Sequence, residues 1–380
     1  MPRLLYVDAK WARPSVDAGS QRAIQLVGEL VRIGYDVDFG ALFPSEAGGL
    51  ESAAIDLAGS NRVYAANEDA LLGHIARHGR DYEVAVVAWT RVATRLIEPL
   101  RGANPDLVIV FDTVDVNHVR EYRHARVSGN ANILRRALAM KQAELGAVRA
   151  ADLTIAISEA DARVLRDGVP SARVEVVTMA VDGRAGPAPG PQERKGALYL
   201  GNYMAWHNVD AVTHLAQDIV PYLDAAGSSL PITLAGAGSH DLIRVLESDR
   251  LRVVGFVPEI EPVMDGQRMF VAPLRVGSGI KGKLLTALAA GLPIVASPVA
   301  VEGIPVVDGE SALLAQTPAE FADACLRLES DDALWRQLSA GSISVVAEHF
   351  SRELVSRQAE QAFAGLLAVG PAKQSRSASR

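Results

Sequence analysis

The chain has 380 residues, more than one ordinary hydrophobic core encloses, so two domains are the default. Its 49% hydrophobic and 22% charged composition describes a soluble globular protein with no apolar run of bilayer-spanning length, and a formal charge of −7 argues against general nucleic-acid binding, which calls for a basic surface. A single cysteine, Cys325, excludes an internal disulfide and any multi-cysteine metal site, and the eight histidines lack metal-ligand spacing; a metal-free mechanism, no cofactor and a cytoplasmic address are the expectations.

Met1 to Asp8 is too short in its apolar part for a signal peptide, and Arg3 to Val7 reads as a strand. Gln21 to Ile33 carries Ile24, Val27, Leu30 and Val31 at helical spacing, and Val37 to Leu42 returns as a strand. Further apolar strands follow at Val84 to Val87, Leu107 to Phe111, Leu153 to Ile157 and Val174 to Val177. Continuous apolar strands alternating with helices imply a parallel sheet covered on both faces, and such sheets hold ligands at the carboxyl ends of their strands.

Three features are expected at those ends. In the loop Pro14 to Arg22, Gly19 and Ser20 stand just before the first helix and offer it a cap. After Phe111 comes Asp112-Thr-Val-Asp-Val-Asn-His-Val-Arg-Glu-Tyr-Arg123, a polar cluster that is costly beside a core unless it is satisfied or used, with His118 its candidate site residue. Ser158 is read as the cap of the following helix and carries no chemistry. From Arg120 to Arg149 there are seven Lys or Arg against two acids, Glu121 and Glu144, a basic excess that suits a solvated helix face, an anionic membrane surface or an anionic acceptor.

Asp182 to Arg194, with Pro187, Pro189 and Pro191, has no hydrophobic period and reads as a linker. It divides a domain over residues 1–182 from a second over 195–350, residues 183–194 forming the connection. The alternation restarts with strands at Ala197 to Leu200, Ile232 to Ala235, Leu251 to Val254 and Met269 to Ala272, and with helices from Val209 and Leu242. Gly236-Ala-Gly238 marks a tight turn, Cys325 a small buried position in a helix, Arg352 to Leu367 a last helix, and residues 369–380 a disordered tail.

The densest signal is Arg275-Val-Gly-Ser-Gly-Ile-Lys-Gly-Lys283, set between the strand at Met269 and a helix from Lys283 to Ala290. Glycines permit close backbone approach, while helix-start N–H groups with Lys281 and Lys283 supply positive field, the makings of a phosphate cradle. Gly277, Gly279 and Gly282 spell the dinucleotide pattern G-x-G-x-x-G, with Glu302 near the place of its acid, but four residues including Pro273 intervene after the strand. Gly277 to Lys283 also starts a P-loop, although Leu284 replaces its Ser or Thr; a solvated glycine-rich loop is the plain alternative.

A longer match runs from Ala272 to Ser297 and on to Glu302-Gly303: it resembles the donor-site segment of GT-B glycosyltransferases of the large retaining family four. That resemblance implies two Rossmann-like doubly wound parallel-sheet domains facing a cleft, with a helix over 351–368 crossing back to the N-terminal domain. It further implies metal-independent, retaining transfer of a sugar from a nucleotide-diphosphate donor to an acceptor hydroxyl, the acceptor being lipid-linked, a polysaccharide end or a small metabolite. By the same resemblance His118 is the catalytic candidate, and Gly277, Ser278, Gly279, Ile280, Lys281, Lys283, Thr286, Asn202 and Gly19 bind the donor. The chain departs from the family twice. Asn202 and His207 or Asn208 stand where many members carry an Arg and a Lys, and Ser278 and Thr286 stand where two glutamates seven residues apart are usual. A nucleotide-sugar binding protein, or an epimerase or hydrolase on the same fold, is the alternative.

Overall fold

The computed structural model describes residues 1–12, 18–44, 59–63, 65, 67–184, 186, 188–238 and 241–366. The chain divides into two compact units, the first comprising Met1–His118, Leu138–Met179 and Val355–Arg380, the second Val119–Ala137 and Ala180–Leu354. Among the described residues no helix is long and apolar enough to cross a membrane.

In chain order the elements of the first half are β1 (Arg3–Asp8), α1 (Ala18–Arg32), β2 (Asp36–Ala41), β3 (Asn61–Val63), α2 (Glu68–His78), β4 (Val84–Ala88), α3 (Thr90–Ala103), β5 (Val108–Asp112), α4 (Asn117–Ser128), α5 (Ala131–Ala150), β6 (Leu153–Ala156), α6 (Glu159–Gly168) and β7 (Val174–Val176). The strands form one parallel sheet in the order β3-β2-β1-β4-β5-β6-β7. The central strands β4 and β5 are buried along their whole length, as their unbroken apolar runs require of a sheet covered on both faces. The order reverses at β1 and β4, so a crevice outside the carboxyl ends is expected at that pair. Helix α1 starts at Ala18, so Gly19 and Ser20 lie in its first turn instead of preceding it, and Pro14 to Asp17 of the expected loop fall outside the described residues. Ser158 does cap α6, its side chain accepting from the Asp161 N–H.

The second half runs β8 (Ala197–Leu200), α7 (Trp206–His214), α8 (Val220–Ala225), β9 (Ile232–Ala235), α9 (Asp241–Arg244), β10 (Leu251–Gly255), α10 (Glu261–Gly266), β11 (Met269–Ala272), α11 (Gly282–Ala289), β12 (Ile294–Ala296), β13 (Leu313–Leu314), α12 (Pro318–Ser330), α13 (Asp332–His349) and α14 (Arg352–Phe363). Its sheet is parallel too, ordered β10-β9-β8-β11-β12-β13, with the reversal at β8 and β11. Each unit is therefore a doubly wound α/β layer. Helix α12 shows how locally such elements are specified: Thr317 caps it in a box with Glu320, Pro318 opens it, and Cys325 is buried on its inner face. From Val355 the last helix packs within the first unit, where Gln358 accepts from the Thr178 N–H and Glu360 pairs with Arg32 at 2.8 Å. The expected tail over 369–380 lies outside the described residues.

The proline-rich stretch before β8 is fastened to the second unit. Arg194 is buried there and donates to the carbonyls of Pro189 (3.0 Å), Met264 (2.7 Å) and Gln267 (3.2 Å), while Arg184 forks onto Asp265 at 2.5 and 2.8 Å. Ala185 and Pro187 are outside the described residues.

Candidate functional site

In the second unit the loop from Pro273 to Lys281 joins β11 to α11, at one of the two strands where the sheet order reverses. Gly279 has φ +60°, a left-handed conformation that a side chain resists and glycine adopts freely. The loop's start is pinned. Arg275 forks onto the buried carboxylate of Asp210 at 2.5 and 3.1 Å, and the Ser297 hydroxyl donates to the Leu274 carbonyl at 2.6 Å. A cavity of about 230 Å³ lies against this start, lined among others by Leu274, Arg275, Ser297, Val299 and Phe321.

At the other end Lys281 is the N-cap of α11, and its ammonium donates to the Gly279 carbonyl at 2.7 Å. Two residues on, Lys283 is largely buried, and burial pushes its ammonium down to about 8 from the ordinary lysine range. Helix-start N–H groups and these two lysines converge on one loop, a field that welcomes an anion. Thr286, one turn into α11, turns its hydroxyl back to the Gly282 carbonyl at 3.0 Å.

A third cation arrives from α4. Arg123 donates to the Gly277 carbonyl at 2.6 Å and grips both carboxylate oxygens of Glu302, at 2.6 and 2.8 Å. Burial raises the Glu302 carboxyl, but the Arg123 hydrogen bonds and charge, with Lys281 nearby, hold it below the ordinary glutamate range. The fork fixes which way the Gly277 peptide faces, because its carbonyl is committed to the guanidinium.

Asn202 follows β8, the strand paired with β11, and is exposed, its Oδ1 accepting from the Met204 N–H at 3.1 Å. Asn208, by contrast, is buried as a brace: its amide donates to the Asn202 carbonyl at 2.8 Å and its oxygen accepts from Tyr199 at 2.8 Å. The expected turn after β9 crosses this loop so closely that a Cβ on Gly236 would stand 1.7 Å from the Gly201 carbonyl oxygen, and one on Gly238 2.6 Å from the Met204 nitrogen.

In the first unit the polar cluster after β5 is fully used. Asp112 is completely buried, and Arg22 meets it with Nε 3.1 Å from each carboxylate oxygen and Nη2 2.7 Å from Oδ1, while Nη1 donates to the Val177 carbonyl at 2.7 Å. Val114 adopts φ +59° as the chain turns toward α4. There the buried Glu144 carboxylate of α5 accepts from the Asn117 N–H (2.9 Å), the His118 N–H (3.2 Å) and the Thr90 hydroxyl (3.2 Å). It also accepts from His118 Nδ1 at 2.6 Å. One carboxylate thus caps the helix and fixes the imidazole, placing the proton on Nδ1 and leaving Nε2 as the acceptor nitrogen. Gly19 lies in this unit, in the first turn of α1. Beside the cluster Asp8 is buried at the end of β1, where burial lifts its carboxyl to about 7 although Trp89 Nε1 donates to it at 3.1 Å.

Sequence reasoning picked out the 277–286 loop and His118 but missed Arg22, Glu144 and the Arg123–Glu302 fork. These partners lie 90, 26 and 179 residues apart in the chain, and no local pattern announces such pairs. A basic residue early in the helix after β1, an acid inside a basic segment, and Glu302 near the place of a dinucleotide site's acid were the visible traces.

Comparison with known proteins places this geometry. Residues 194–331 match the family model described as Glycosyl transferases group 1. An uncharacterised 44.6 kDa protein in the cps region of Klebsiella pneumoniae is 19% identical over 167 residues, 42% of this chain and 43% of that protein, so the match spans less than half of that relative. Among solved structures, sucrose-phosphate synthase from Thermosynechococcus elongatus matches with a TM-score of 0.74 at 17% identity over 97% of this chain and all (100%) of its own. HepE from Anabaena, in complex with UDP and glucose, matches at 0.69 and 13% identity over 95% of this chain and 99% of its own. Likenesses at this identity establish the fold, two doubly wound domains of the GT-B kind.

Proposed function

We propose that this chain, a glycosyltransferase with the GT-B fold, moves a sugar from a nucleotide-diphosphate donor to an acceptor hydroxyl in the cytoplasm, without a metal ion and with retention at the anomeric carbon. The observation that carries the reading is the left-handed Gly279 loop with Lys281 and Lys283 opening α11 beside the sheet's reversal. A diphosphate seated there meets backbone N–H groups and two ammonium groups. As the bond from the anomeric carbon to the diphosphate oxygen breaks, its electron pair stays on the diphosphate, and these cations stabilise the charge that develops. Lys281 and Lys283 supply the charge in place of Asn202 and His207 or Asn208, which stand where many family members carry cations, while Arg123, its charge offset by Glu302, fixes the Gly277 peptide. The acceptor oxygen forms the new bond to the anomeric carbon and passes its proton to the departing diphosphate oxygen.

His118 takes the catalytic position in this reading. Its Nδ1 is bound to Glu144, which leaves Nε2 as the nitrogen able to meet a hydroxyl. The complex of HepE with UDP and glucose favours a UDP-sugar as donor. A lipid-linked glycan, a polysaccharide end and a small metabolite are the acceptor classes considered. A second reading, a nucleotide-sugar binder without transfer, draws on Thr286, whose hydroxyl is occupied within its own helix where the family places a carboxylate.

The test is calorimetric titration with UDP, GDP, dTDP and UMP without metal, on wild type, Lys283→Ala and Arg123→Met. The expected result is one nucleoside diphosphate bound, weakened roughly tenfold or more in each variant, with UMP affected far less because it lacks the second phosphate. Equal loss for UMP and UDP would remove Arg123 from the site, and no binding by wild type would remove the donor reading. Release of nucleoside diphosphate that depends on added acceptor separates the transferase from the binder.

A further inference from the structure

In the sequence α4 stands between β5 and β6 of the first sheet, yet from Val119 it belongs to the second unit. Two consecutive side chains fasten it there. Arg123 reaches the loop after β11 through the Gly277 carbonyl, and the stretch after β12 through Glu302. His124 lies flat on Trp206, with ring centroids 3.8 Å apart and planes 20° from parallel. Trp206 opens α7, in the segment that follows β8. Neighbouring residues of a helix point in directions about 100° apart, so α4 can touch the loops on both sides of the sheet's reversal at once. His124 meets the β8 side and Arg123 the β11 side.

The stack is not a core contact. Trp206 stays 41% exposed, and Glu121 of the same helix stands 3.9 Å from the imidazole. A large aromatic side chain left in water at the end of a sheet that receives ligands adds little to a core; what its contact fixes is the place of α4 against α7. From there the connection runs outward on both sides. In α7 the Asn208 amide donates to the Asn202 carbonyl at 2.8 Å and so holds the β8 loop. On α4 the Arg123 fork holds the Gly277 carbonyl, and because a peptide is planar this also sets the direction of the Ser278 N–H.

We infer that His124 and Trp206 are a positioning pair for the donor cradle: their stack seats α4 on the β8 side, so that Arg123 keeps the Gly277 peptide of the β11 side at a fixed distance and orientation. Neither ring has to touch the nucleotide. The use of the cradle for a nucleoside diphosphate rests on the proposed function, whereas the tie between its two sides does not.

Hydrogen exchange on the full chain without ligand tests the tie. Losing an aromatic pair corresponds to a roughly three- to tenfold change in an opening equilibrium. Trp206→Ala is expected to speed exchange by that factor over residues 119–128 and 275–282 together, with β4 and β5 unchanged. Trp206→Phe, which keeps a ring under His124, should restore most of the protection. Wild-type exchange of either segment in Trp206→Ala overturns the inference, and so does loosening confined to residues 202–214, which assigns the pair a local role only. Calorimetry with UDP tests the consequence for the cradle. His124→Ala is expected to weaken UDP by about three- to tenfold in the wild-type background and to add nothing in Arg123→Met, because the pair acts through that residue. Additive losses overturn the inference by giving His124 a contact of its own with the nucleotide. If wild type binds no nucleoside diphosphate, the donor reading falls, and the exchange experiment still decides the tie.

Discussion

Lys283 offers the sharpest quantitative handle. Its ammonium is held at about 8 by burial alone, with no anion to offset the lost hydration. A diphosphate beside it restores the charged form, so binding and protonation are linked. Above pH 7 the phosphates of a nucleoside diphosphate are largely ionised, and up to about pH 9, before the uracil N3–H ionises, the titration belongs to the protein. The dissociation constant of UDP for wild type is expected to be flat up to about pH 8 and to rise about tenfold per unit above it, with binding at pH 9 drawing in about 0.9 proton. Calorimetry in two buffers of different ionisation enthalpy reads that proton directly, and Lys283→Met should show neither the break nor the uptake. The same shift fixes the stability of the unliganded protein. Because the folded value lies below the unfolded one, the unfolded chain binds more protons between about pH 8 and 10.5, and stability rises with pH across that window. Below it, the buried charge costs up to about 3 kcal/mol. Lys283→Met should therefore be the more stable protein at pH 7 by up to that amount, and lose the advantage at pH 10.5, as denaturant unfolding would measure. A UDP affinity constant from about pH 7 to 9 in wild type, or the same break in both proteins, would refute the reasoning.

Other consequences are as direct. Arg22→Met leaves Asp112 ionised and buried without its partner and should lower stability by about 3–5 kcal/mol, with much of the loss recovered in Arg22→Met/Asp112→Leu; an equally unstable double variant would contradict this. Gly236→Ala drives a methyl group to 1.7 Å from the Gly201 carbonyl oxygen, so the second unit should fail to fold or lose its β8–α7 loop, visible as loss of UDP binding with the Tm; a variant of wild-type Tm would mean the two loops part easily. Asp8, raised to about 7 by burial, makes the folded protein lose stability as pH rises from about 4 through 7. Asp8→Asn should thus raise the Tm at pH 8 and leave it nearly unchanged at pH 4.

How far the sequence reveals this molecule depends on the range of the interaction. Period and composition identify β4, β5 and the cradle loop because strand burial and glycine geometry are local properties, and Ser158 declares its cap three residues before the N–H that it serves. Strands β3 and β13, of three and two residues, are too short to carry a period. The boundary of α1 is misread because a glycine and a serine suit a first turn as well as a cap. Glu144 is hidden most thoroughly: in sequence it dilutes a basic run, and only folding brings it under α4, where it positions His118. Arg123 looks like one more surface cation until Glu302 and Gly277 are set before it.

The hydroxyl of Thr286 is committed to the Gly282 carbonyl within its own helix. In the family this chain resembles, that position holds a carboxylate on the ribose of the donor. Under the proposed function, a donor here is then held through its diphosphate and the loop backbone, so UDP and its 2′-deoxy counterpart are expected to bind this protein with similar dissociation constants, as calorimetry would measure.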